Sequence, residues 1–251
     1  MYFCEGEKWT TVVRETQQPI IEFDFLKDFS QHCRNKFHEP TKEITYRCVP
    51  TSKIVACHAQ RISSIRCGYD MPIAIAPDLA TSVRYIALVF QDPLRGATAP
   101  NTLTAGVPFA LGDQHMRNKK RYGFVWKLVE RIVEAGFGVW VTDANKLWLN
   151  PGEADIFSNS ERQELDYLQS KVLLNELTQL RPRLTIAFGR SAQISLKKNG
   201  ILSSEHPHPG VYGGKPLIES YGLEKGKFGY DARLTAAWER IEKDLTIGRH
   251  D

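Results

Sequence analysis

The chain has 251 residues, 42% of them apolar and 25% charged, with a formal net charge of +4. That size and balance exclude a disordered or fibrous protein and fit one globular domain over residues 1–251, with no linker arguing for a second. The small positive charge permits a polyanionic partner without requiring one. No apolar run is long enough to span a bilayer, and MYFCEGEKWTTVV has no signal-peptide pattern, so a cytoplasmic monomer without a membrane partner is expected.

Residues 1–80 read as helices and loops packed on the core. Within them FDFLKDFSQHCRNKF places Phe25, Leu26, Phe29 and Cys33 at helical spacing. Cys33, Cys48, Cys57 and Cys67, with His32, His38 and His58 nearby, raise the question of a metal. No two of these cysteines have the C-x-x-C spacing of zinc ribbons, so the reading is buried structural cysteines, with no metal and no cofactor. The odd total of five cysteines fits free thiols in a reducing compartment.

YIALVFQDPLRGATAPNTLTAGVPFAL follows, an apolar strand that breaks into a long loop rich in Pro and Gly. Buried parallel strands carry function just past their carboxyl ends, which singles out Gln91, Asp92 and Pro93. HMRNKKRYGFVWKLVERIVEAGFG predicts a helix with Phe124, Leu128, Ile132 and Val133 on one face and Gly136 near its end. Its basic start, Arg117, Lys119, Lys120 and Arg121, reads either as a solvated helix entrance or as a phosphate-contacting patch.

GVWVTDANKLWLN is a second strand, turning polar at Asp143, so an acid again stands at a strand's carboxyl end. Ser160 and Gln163 have capping-box spacing for a helix from Glu161 to about Leu180, with a core stripe of Leu165, Leu168, Val172, Leu173, Leu177 and Leu180. RPRLTIAFGRSAQ gives a further strand, a turn at Gly189 and a helix start near Ser191. There Arg190 and Ser191 are placed to hold a phosphate, although capping alone explains the serine. EHPHPGVYGGKP is a loop in which Pro207 and Pro209 fix His206, and DARLTAAWERIEKDL is a closing amphipathic helix. Strands and helices in this order predict an α/β fold of three layers, α/β/α, around a central, mostly parallel sheet.

The order of QDP, GVPFAL, VTDAN, IAFGRSA and EHPHPG, over Tyr85 to Val211, resembles the uracil-DNA glycosylase superfamily. The resemblance implies a glycosylase-like fold and a DNA partner, with cleavage of the N-glycosidic bond of a flipped nucleotide. Asp92 would stabilise the cationic sugar and orient the attacking water, and His206 would donate a hydrogen bond to O2 of the leaving base. Gln91 would line the base pocket through its backbone, and Phe109 would stack on the base. Some members hold an iron–sulfur cluster, whose cysteine spacing this chain does not reproduce.

Two departures from the family pattern bear on the substrate. Asp143 stands where uracil readers have Asn. An ionised carboxylate only accepts hydrogen bonds, which disfavours O4 of uracil and favours the N4 amino group of cytosine. Leu94 replaces a Tyr that walls off C5 of uracil. Together they point to a C5-modified cytosine, hydroxymethylcytosine with or without a sugar. In this the chain resembles bacterial glycosylases that act against phages carrying glucosylated hydroxymethylcytosine. Arg95, Asn101, Thr102 and Thr104 are the candidates to contact the modification. The family's wedge Leu is replaced by Gly210, leaving Val211 or Tyr212 to substitute, or a preference for single-stranded DNA. Two further readings stand beside this one. One is a conventional uracil glycosylase whose Asp143 is protonated and mimics Asn; the other is a catalytically silent DNA-binding module.

Overall fold

A computed structural model describes residues 1–4, 6–39, 45–78, 83–118, 123–210, 214–225 and 228–247. In chain order the first elements are β1 (Tyr2–Phe3), α1 (Glu7–Gln17), α2 (Phe23–Lys36), β2 (Arg47–Cys48), α3 (Ala59–Ile62), β3 (Cys67–Asp70) and β4 (Ile73–Ala76). The middle of the chain supplies β5 (Tyr85–Phe90), β6 (Leu103–Gly106), α4 (Gln114–Arg117), α5 (Gly123–Glu134), β7 (Gly138–Asp143) and β8 (Leu147–Leu149). The remainder forms α6 (Asn159–Leu180), β9 (Leu184–Phe188), α7 (Arg190–Lys198), β10 (Ser204–His206), α8 (Lys215–Tyr221) and α9 (Tyr230–Ile247).

The result is a mixed α/β protein. Six strands form one sheet in the order β1-β4-β7-β5-β9-β10, and four form a second in the order β2-β6-β3-β8. Strands β7, β5, β9 and β10 run parallel, as the apolar runs of β5, β7 and β9 predict, whereas β4 and β1 join one edge antiparallel. The larger sheet is therefore mixed, with a parallel majority of pairings, β7 to β10, and an antiparallel edge, and residues 1–80 are more than helices and loops. Segments such as IAIA are too short and too evenly apolar to show a period, so their strand character comes from the neighbours they pair with.

Pleating separates two helix layers. Trp140 points to one face, where its indole N–H donates to Glu176 of α6 at 2.8 Å. Val141 points to the other, in register with Leu88, Ile186 and Ser204. On that face the Ser204 hydroxyl bonds Asp244 of α9, and His206 meets Tyr221 of α8. Helices thus cover both faces of the sheet.

The stripe on α6 is core, with Leu165, Val172, Leu173, Leu177 and Leu180 all buried. Its cap differs from the expectation. Ser158 and Glu161, not Ser160 and Gln163, form the reciprocal capping box. Both pairs have the right spacing, but Ser158 has the extended backbone of a cap, and its N–H donates to Glu161 Oε2 at 2.8 Å. The helix expected over residues 115–134 divides into α4 and α5. Phe124, Leu128, Ile132 and Val133 are buried as predicted, and Gly136, at φ 85°, follows the end of α5. Of the cysteines, Cys4, Cys33 and Cys67 are buried, whereas Cys48 and Cys57 are exposed, against the expectation for those two; all five are free thiols. No helix among the described residues is long and apolar enough to cross a membrane.

Candidate functional site

Strands β5 and β7 end together, with Phe90 opposite Asp143, and the strand order reverses around β5, with β7 on one side and β9 on the other. Crevices of α/β sheets form at such carboxyl ends. Here a cavity of about 330 Å³ is lined by Asp70, Phe90, Gln91, Asp92, Leu94, Arg95, Phe109, Asp143 and His208, among others. The fold therefore brings the loop after β5, the end of β7, the segment after β6 and the loop after β10 to one place.

Asp143 lies deepest in chemical terms, at 2% exposure. Its Oδ2 is buried and accepts no hydrogen bond among the described residues. Burial pushes this carboxyl far above the ordinary carboxylate range. The Asp70 and Asp92 charges reinforce the rise, against weaker opposition from Lys146 and Arg95. The shift favours the neutral acid, which has one donor and one acceptor. Of the two sequence readings of Asp143, ionised or protonated, the surroundings favour the protonated one, because three carboxylates converge here and the guanidinium of Arg95 is already bound to one of them.

Asp92 sits half-buried at the mouth, accepting from the Gln91 amide at 3.0 Å. Burial raises its pKa, while Gln91 and His208 pull it down. His208 faces the pocket, and its Nδ1 accepts the Gly210 backbone N–H at 3.0 Å. That bond leaves the proton of a neutral ring on Nε2, a donor of fixed tautomer.

His206 is not the pocket histidine. It lies at the end of β10 with no exposure, Nδ1 at 3.0 Å from the Tyr221 hydroxyl and Nε2 at 3.1 Å from Ser204 Oγ. Burial lowers its pKa to about 3, so it is a neutral core group. The cause of the misplacement is the doubled HPHP. His206 still belongs to the strand, where both ring nitrogens are needed to satisfy the core, and the chain reaches the pocket only two residues later.

Arg95 was expected to contact a base modification, yet its side chain is 2% exposed and paired with Asp70 at 2.7 Å. It also donates to the Pro93, Tyr69 and Thr104 carbonyls at 3.0, 2.7 and 2.9 Å and to Thr104 Oγ1 at 2.8 Å. With that many partners Arg95 pins the Asp92 loop, and Thr104 belongs to its anchor. Gly68 lets the loop settle, since a Cβ there would lie 2.1 Å from the Pro93 carbonyl oxygen. Asn101 bonds Arg66 at 3.4 Å, and neither Asn101 nor Thr102 lines the pocket. Both sit before β6, on the side remote from its carboxyl end, which the sequence distance from Asp92 conceals. Leu94 lines the mouth and is 63% exposed, so it does not wall the pocket off.

Phe109 lies against Phe90, ring centroids 4.4 Å apart, and borders the pocket with a left-handed backbone at φ 54°. A bulky residue held there marks stored strain at a site. Arg117 is no phosphate contact: it is buried, donates to the Leu111 and Phe37 carbonyls, and stacks on Phe37 and Trp126. Its basic neighbours in sequence disguise a core-anchoring residue. Arg190 is exposed at the start of α7. That start adjoins the pocket, since a Cβ on Gly189 would lie 3.1 Å from the His208 Cβ. Ser191 follows, half-buried. Lys119, Lys120, Arg121, Val211 and Tyr212 lie outside the described residues. Asp70, Tyr46 and Met116, which also line the pocket, carry no motif in the sequence and enter only through the second sheet and α4.

No protein-family model matches the chain, and no curated protein sequence matches it significantly.

Proposed function

We propose that this α/β protein is a DNA glycosylase with a uracil-DNA glycosylase-like fold, which takes a flipped pyrimidine nucleotide into the pocket and hydrolyses its N-glycosidic bond. The observation that carries the reading is the buried, unpartnered Oδ2 of Asp143, facing a cavity bordered by Asp92 and the tautomer-fixed His208. A buried polar atom without a partner is costly unless a ligand completes it.

In the reaction, water adds to C1′ as the C1′–N1 bond breaks, and the electron pair leaves with the base. The Asp92 carboxylate accepts a hydrogen of the water and offsets the positive charge on the sugar. Nε2–H of His208 donates to O2, where the leaving base gathers negative charge. Phe109 offers the face of its ring to the base. Arg190, Ser191 and the N-terminus of α7 stand beside His208, where a phosphate of the strand would lie.

In the neutral form that its upward shift favours, the Asp143 carboxyl bears on which base is bound. It can donate to N3 and accept from the N4 amino group of cytosine, or accept from N3–H and donate to O4 of uracil. Discrimination then falls to the C5 side, where Leu94 turns outward and opens the mouth, and this favours a C5-modified cytosine as in phage DNA. Uracil remains the second reading, because the same neutral acid replaces Asn without loss of a donor. Matched oligonucleotides containing uracil, cytosine, 5-methylcytosine, hydroxymethylcytosine or its glucosylated form, treated with enzyme and then alkali, decide between them. Strand breaks only at C5-modified cytosine support the first reading, and breaks only at uracil support the second. No breaks on any strand, with DNA still bound, would leave the silent binding module.

A further inference from the structure

Outside the lining of the pocket, the segment just before α3 meets α6. Cys57, His58 and Glu164 bring one sulfur, one nitrogen and one carboxylate oxygen within 4.8 Å of one another. His58 Nε2 lies 3.1 Å from Glu164 Oε2, and its Nδ1 lies 3.4 Å from Glu161 Oε1. A neutral imidazole carries one N–H and so satisfies only one of these two carboxylates. The other contact would set a lone pair against an anion. A cation at Nε2 resolves this as well as a second ring proton does, and only the cation gives the neighbouring thiol a role, as a third donor.

We propose that Cys57, His58 and Glu164 bind a zinc-class transition metal ion, with Glu161 holding His58 from behind. The donor set of thiolate, imidazole and carboxylate suits Zn²⁺, which takes three protein ligands and a water in open sites. Glu161 is poorly placed to serve as a fourth ligand because its oxygens are already engaged by Arg61 and by the Ser158 backbone and hydroxyl. It lies 3.4 Å from Nδ1 instead, close to the carboxylate–histidine–metal relation that orients the ring and leaves Nε2 for the ion. The backbone agrees with a built position, since His58 is left-handed at φ 64°. His58 Nε2 and Glu164 Oε2 already stand 3.1 Å apart, so reaching coordination distance asks mainly for a shift of the exposed Cys57 thiol. The ion would clip residues 57–58 to α6 independently of the glycosylase reading.

The test uses the full chain, stripped with chelator and titrated with Co²⁺ as a spectroscopic probe and then with Zn²⁺. Expected are about one equivalent of bound cobalt, tetrahedral ligand-field bands and a thiolate-to-cobalt charge-transfer band, all displaced by zinc. Cys57→Ser should abolish the charge-transfer band, whereas Cys48→Ser, at the other exposed thiol, should keep it. Glu161→Gln should weaken binding about 10- to 100-fold. Glu164→Gln changes only an exposed side chain and provides a well-folded variant should Cys57→Ser misfold; it should lose cobalt affinity and the zinc-dependent rise in Tm. Absence of bound cobalt from the wild type, or a charge-transfer band that survives Cys57→Ser, would overturn the site.

Discussion

Asp143 and Lys146 are three residues apart and equally hidden, yet their surroundings are opposite. The Lys146 side chain, 0% exposed, donates to Thr142 and lies 2.6 Å from Glu176 Oε2. Glu176 also accepts from Trp140 and Gln17, at 2.8 and 2.6 Å, and Gln17 in turn accepts from Tyr69 at 3.1 Å. Asp143, on the far side of the same strand end, has a buried oxygen with no partner among the described residues. A satisfied polar cluster locks a fold, whereas an unsatisfied one reserves free energy for a ligand. The difference separates satisfied from unsatisfied polarity at one strand end.

The largest expected effect breaks the satisfied side. Glu176→Ala strands the Lys146 ammonium in the core and should cost about 3–5 kcal/mol in urea unfolding. At a permissive temperature it should leave base release nearly unchanged. On the unsatisfied side, Asp92→Ala should slow base release about 100- to 1,000-fold in single-turnover assays while oligonucleotide binding persists.

The two histidines sharpen the contrast. His208→Ala should slow release about 100-fold with little change in Tm. His206→Ala should lower Tm through its lost bonds to Tyr221 and Ser204 and leave the chemistry of the folded fraction intact. Because the His206 pKa falls from 6.5 to about 3 on folding, the unfolded chain binds more protons in that window. Stability should therefore drop by about 1.4 kcal/mol per pH unit as pH falls from 6.5 towards 3, a slope that His206→Ala removes.

The smallest effect concerns Asp143. Its folded pKa lies above the unfolded 3.8, so its contribution to stability is present below pH 3.8 and lost as pH rises through the folded value. Asp143→Asn should remove that slope and raise Tm slightly at neutral pH. If uracil is the substrate, wild-type activity should decline at high pH as Asp143 ionises, and Asp143→Asn should abolish that decline. Asp92, whose pKa burial also raises, should place the acid limb of activity above the ordinary carboxylate range.

The strands β5, β7 and β9 and the apolar faces of α5 and α6 were legible in the sequence because long apolar runs and helical stripes report burial directly. For the same reason Asp92 and Asp143 were legible as strand-end acids that share a crevice. Tertiary structure alone decided that His208 rather than His206 faces the pocket, since HPHP offers the same residues in two registers and only the end of β10 chooses. It decided that Arg95 and Arg117 are buried anchors, because a guanidinium in sequence looks alike whether carbonyls or phosphates receive it. It also decided that the Asp143 carboxyl is shifted towards its neutral form. A pKa depends on the charges gathered around it, and Asp70 comes from a strand more than seventy residues away.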